Sequence, residues 1–156
     1  MNKYILFIFV MTFFMTVSCS NSQEVATLER ELESMKMEMD DMKEFLGPGL
    51  ADLMNRNNEY VKKLDVALEN QNWEYADFCL HEMEENFEKI VKLHNNHDEL
   101  VQPASVQFEA FIYPVFHELE EAVESSNHEK SLELYTQLKT NCGSCHTANN
   151  HGFIVL

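Results

Sequence analysis

Glycine and proline are scarce in this chain: four and three among 156 residues. Both punctuate a chain at turns, so the many short strands and tight connections of a β-sandwich or barrel are excluded. No β-alternation of useful length appears either. Basic residues are few as well. Eleven Lys and Arg stand against 27 Asp and Glu, a formal net charge of −16. Such a balance argues against nucleic acid or an anionic lipid surface as a partner. It suits a basic partner protein, whose attraction salt would weaken. Solubility alone accounts for the acidity equally well. There is one Trp, and only four Cys. No structural disulfide is expected among them.

Long apolar runs are absent but for one. Lys3 precedes an apolar stretch from Tyr4 to Val17, followed by Ser18-Cys19-Ser20. This is a charged start, a short hydrophobic segment and small residues at a cut site, the pattern of an export signal over 1–18. It falls short of the ~20 apolar residues that span a bilayer. Thr16-Val17-Ser18-Cys19 resembles a lipobox, although Thr16 stands where Leu is usual. Cys19 is thus expected as the lipidated first residue of the mature protein, with ordinary cleavage beside Ser18 or Ser20 as the alternative. The chain is then expected on the periplasmic side of a bacterial membrane or at the cell surface, held by a lipid anchor. Loss of 1–18 removes Lys3 and no acid, moving the formal charge from −16 to −17.

Beyond the signal, residues 19–46 read as a polar start and a coiled-coil-like helix. Val25, Leu28, Leu32, Met35, Met39, Met42 and Leu46 alternate spacings of three and four, an a/d seam. In a parallel pair, Glu31 would meet Lys36 and Glu38 would meet Lys43, while Glu24 would oppose Glu29. Self-association through 25–46, folding back onto the chain's own bundle, and a solvated spacer all remain open. Gly47-Pro48-Gly49 interrupts the pattern. Residues 47–156 read as one all-α domain with helices over 50–69, 73–94, 104–124 and 128–148. Pro114 should kink the third helix or end its first half. Equal lengths, two short turns and one longer connection predict an antiparallel four-helix bundle, with the heptad helix before it.

Cys142-Gly143-Ser144-Cys145-His146 is the most specific motif. C-x-x-C-H is the attachment signal of a c-type haem. On a helix, residues three apart share a face, so both thiols can reach the vinyl edges of one porphyrin. His146 can then offer an imidazole nitrogen to the iron. A zinc site would want four ligands at paired spacings, and no second Cys pair exists, although His151 is close. A redox C-x-x-C belongs with a βαβ pattern that is missing here. Cys79, between Phe78 and Leu80, is left over and is expected to be buried as a small hydrophobe.

A four-helix domain with C-x-x-C-H on its last helix resembles the cytochrome c′ family and its low-spin relatives, over about Leu50 to Ala148. The tail Gly152-Phe153-Ile154 and the Asn72-Trp73 pair are similar to features of small exported C-x-x-C-H proteins. The resemblance implies one covalent haem c held by Cys142 and Cys145, with His146 as proximal ligand. Attachment outside the cytoplasm, as in bacterial c-type cytochromes, agrees with an export signal. Residues expected near the haem are Leu50, Leu53, Met54, His94, His97, Phe108 and Phe111. Met54 matches the placement of the distal Met in low-spin relatives. His94 and His97 are expected to face the loop or the surface. Family members carry basic residues just after the haem His, whereas here Thr147-Ala148-Asn149-Asn150 follows. Electron transfer with a redox partner is the implied function, with five-coordinate binding or sensing of NO or CO as the alternative. No constellation of general acid, base or nucleophile is visible, so catalysis by side chains is not expected.

Overall fold

The computed structural model describes residues 23–42 and 45–155. The export signal over 1–18, lipidation of Cys19 and the Lys43 end of the heptad pairing lie outside them. All regular structure among the described residues is helical. The chain divides into two compact units, Met1–Leu46 and Gly47–Leu156. In the first, α1 covers 23–42. Its seam residues Val25, Leu28, Leu32, Met35, Met39 and Met42 are all exposed. A single helix has nothing of its own on which to bury such a stripe.

The second unit holds α2 (Leu50–Glu69), α3 (Trp73–His94), α4 (Ala104–Phe111), α5 (Tyr113–Glu124) and α6 (His128–Ala148). Two of its turns use one device. After α2, Gln71 takes a positive φ of 54°, and after α5, Ser126 takes 55°. The next N–H in each case reaches back five residues, Asn72 to the Ala67 carbonyl and Asn127 to the Ala122 carbonyl, both at 2.8 Å. These are Schellman endings, which satisfy carbonyls the helix would leave bare. Asn72 and Asn127 then cap the following helices, accepting from the N–H of Tyr75 and Lys130 at 3.2 Å. Trp73 and His128, the first residues of those helices, meet edge to face at 6.3 Å. Both turns therefore lie at one end of the unit.

The region between Ala104 and Glu124 forms two helices rather than one. Pro114 has no N–H to give, and its ring crowds the carbonyl a turn earlier. The break falls at Ile112 (φ −107°, ψ −63°), and Pro114 sits in the first turn of α5. Packing is cyclic. α2 lies against α3, α3 against α5, α5 against α6 and α6 against α2, while α4 touches α3, α5 and α6. Among the described residues the backbones of the diagonal pairs α2–α5 and α3–α6 stay apart, although the rings of Trp73 and His128 meet at the starts of α3 and α6. Leu53, Leu64, Leu80, Met83, Ile90, Phe116, Leu119 and Leu138 fill the centre, each stabilising the fold by roughly 1.5–3 kcal/mol. Cys79 is buried among them. No helix among the described residues is long and apolar enough to cross a membrane.

Candidate functional site

The last two turns of α6 carry the motif. Cys142, Cys145, His146 and Asn149 share one helix face by their spacing. Asn150, in the left-handed region at φ 64°, ends the helix. His151 N–H donates to the His146 carbonyl at 2.8 Å and Asn150 N–H to that of Thr147 at 3.1 Å, a third Schellman ending. It turns residues 151–154 back towards the helix, where Gly152 approaches Thr147 so closely that a Cβ would lie 3.1 Å from its Oγ1.

At this end of the unit lies a cavity of about 170 Å³. Leu50 and Met54 of α2, Leu100 of the α3–α4 loop, Phe108 of α4, Cys145 and His146 of α6, and Ile154 line it. Met54 and the Cys145–His146 pair, remote in sequence, thus share one apolar wall. Cys142 does not line the cavity and is half-buried against the core. Leu53 belongs to the core, and Phe111 is half-buried beside it. His97 is half-buried, its Nδ1 accepting from the Glu99 N–H at 3.3 Å. His94 corrects its surface expectation. It is buried, and its Nε2 donates to the Pro48 carbonyl at 2.8 Å. A ring tied to the segment preceding α2 is held as a structural group, away from the cavity.

His146 is half-buried, with Nδ1 inside the protein and lacking a partner. Burial, and after it the neighbouring His151, holds its pKa below the ordinary range, while the Ile154 carbonyl works the other way. A neutral imidazole keeps a lone pair for a metal. Burial, followed by the nearby Cys145, pushes the Cys142 thiol up to about 12. Burial also raises Cys145. Among the described residues no three His, Cys, Asp or Glu side chains converge as ligands for a bare ion.

Asn58, Gln107, Asn149 and His151 also line the cavity, and sequence reasoning gave none of them a place beside the haem motif's proposed site. Gln107 carried a signal, being a polar residue on the face defined by Ala104, Phe108 and Phe111. Asn149 carried another, continuing the Cys142–Cys145 face by one turn. His151 did not, since only the reversal at Asn150 brings it in. The donor set of Cys145, His146 and Met54 on an apolar wall fits a haem. The void alone is smaller than one. A cavity of roughly 150 Å³ holds benzene, and a porphyrin has four pyrrole rings. A haem here would require the walls of this void to move apart. No protein-family model matches the chain, and neither does any curated protein or solved structure.

Proposed function

We propose that the chain is a monohaem c-type cytochrome that transfers electrons outside the cytoplasm. One observation carries this reading: Met54 and the Cys145–His146 part of the only C-x-x-C-H motif line a single apolar cavity. In this reading Cys142 and Cys145 hold the porphyrin by thioethers, His146 is the proximal ligand and Met54 the distal one. The bound haem would supply a one-electron ferric–ferrous couple. The protein insulates and orients it: Leu50, Leu100, Phe108 and Ile154 exclude water, and burial keeps His146 neutral. The cyclic packing of α2, α3, α5 and α6, with α4 as the separate first half of the third helix, supports reading the unit as an antiparallel four-helix bundle. The surplus of acidic residues suits a basic redox partner, and a lipid at Cys19 would keep both at one membrane surface.

The gas-binding alternative has its own support, since Leu50 and Phe108 stand beside Met54 in the cavity. Were Met54 to stay off the iron, they would wall an open sixth site for NO or CO. A pyridine haemochrome assay on exported protein, followed by a carbon monoxide titration, tests both. One covalent haem that is low-spin and indifferent to carbon monoxide supports electron transfer. A high-spin haem that binds the gas supports the alternative. Free thiols at Cys142 and Cys145, with no added mass, overturn both.

A further inference from the structure

Away from the haem motif, three aromatic rings meet on the outer side of the α2–α3 hairpin. Tyr75 and Phe78 of α3 stack at 6.1 Å with 11° between their planes. Tyr60 of α2 meets Phe78 edge to face at 6.2 Å. The Tyr60 O–H donates to Glu82 Oε2 at 3.0 Å, which ties that ring to α3. Phe78 is 46% exposed and Tyr75 37%. Single exposed rings are ordinary on a helix surface. A contiguous set held in one arrangement is what an interface uses as its anchor.

The charge around the rings says what covers them. Glu74, Glu82 and Glu85 share the Phe78 face of α3 by their spacing, and Glu59 precedes Tyr60 on α2. Glu85 is already paired with Lys89 at 2.8 Å, whereas Glu59 and Glu74 stand exposed. Lys63 holds its Nζ 4.6 Å from the centre of the Tyr60 ring, so the cluster already takes one cation on a ring face. Among the described residues no such cation lies over Tyr75 or Phe78. A second copy of this chain, with its formal charge of −16, would bring acid against acid. Electron-rich ring faces beside carboxylates attract a cation instead. Tyr75 and Phe78 lie against each other rather than around a hollow. That suits a planar guanidinium laid on an open surface, not a free ammonium ion held in a cage. We propose that the Tyr60–Tyr75–Phe78 cluster docks an arginine-bearing basic patch of a partner protein. Tyr75 and Phe78 stack on the guanidinium, and Glu59 and Glu74 supply the counter-charge. None of these residues lines the cavity, so the surface stands whether or not the chain carries haem.

Isothermal titration calorimetry of the full-length chain with a capped hexa-arginine peptide tests this. Tyr75→Ala with Phe78→Ala alters no charge, so a loss of affinity comes from the rings. The fall is expected to be about tenfold. Hexa-lysine matches the charge without the planar group. It is expected to bind the wild type more weakly and to lose less on the same substitutions. Glu118→Gln with Glu121→Gln removes two exposed charges from α5, away from the rings, and is expected to cost less than the ring pair. Undiminished hexa-arginine binding by the ring variant overturns the proposal. So does an equal loss for the two peptides, or a loss in the α5 variant as large as that in the ring variant. If the double variant does not fold by circular dichroism, Phe78→Gln alone is read in the same way.

Discussion

In the proposed haem reading, Met54 is the residue on which electron transfer and gas binding would diverge. Its thioether reaches the cavity from the second turn of α2, and Met otherwise serves as a plain core filler. Met54→Ala is expected to retain the covalent haem and to convert a carbon monoxide-indifferent spectrum into one that responds to the gas. If the wild-type and variant spectra match, Met54 is only packing. Tyr135 offers a separate test in pH. Its O–H donates to the Val61 carbonyl at 3.2 Å. Burial, and then the charge of Asp65, raises its pKa to about 12. The sign follows from a raised acid: the folded state keeps the proton that the unfolded state surrenders near pH 10. This stabilising contribution is constant below pH ~10 and is lost as pH rises towards ~12, to the extent of about 2 kcal/mol. Denaturant midpoints at pH 9 and 11.5 should therefore fall more steeply for wild type than for Tyr135→Phe.

Among the elements, the repeated turn does most to define the hairpins α2–α3 and α5–α6. Asn72→Ala and Asn127→Ala should each cost about 1 kcal/mol by removing an N-cap. Gln71→Gly and Ser126→Gly should each stabilise by up to ~1 kcal/mol, since a side chain at positive φ is strained and glycine is not. Urea denaturation reads all four. These local devices also explain what was legible. Helices over 50–69, 73–94 and 128–148 were readable because Asn72 and Asn127 stand at the junctions and Gly49 precedes the first. Pro114 signalled a defect within 104–124, but its placement at Ile112 depends on which carbonyl the proline ring crowds. The cavity was readable where one helix face sufficed, at Met54 and at Cys145 and His146. Gln107 with Asn149, or His94 with Pro48, pair across more than forty residues. No periodicity encodes such pairs.

For the whole molecule, the open matter is why a unit with its own core should follow a helix with none. The seam of α1 is apolar at every a and d position, yet each described seam residue is exposed. A helix of this length is marginal alone in water, and three heptads of Leu, Val and Met would gain most by meeting copies of themselves. Glu31 opposite Lys36 and Glu38 opposite Lys43 would favour a parallel register, against one repulsive Glu24–Glu29 position. Analytical ultracentrifugation of the chain from residue 20 onward is therefore expected to show a dimer or trimer at micromolar concentration. The chain from Gly47 onward, which retains the whole core of the second unit, should be monomeric. Leu32→Lys with Met39→Lys should abolish assembly, since each places a charge within the seam, and should leave haem content unchanged because neither residue belongs to the cavity. A monomer throughout would show that the seam does not self-associate. An oligomer that survives without residues 23–46 would place the contact on the second unit instead.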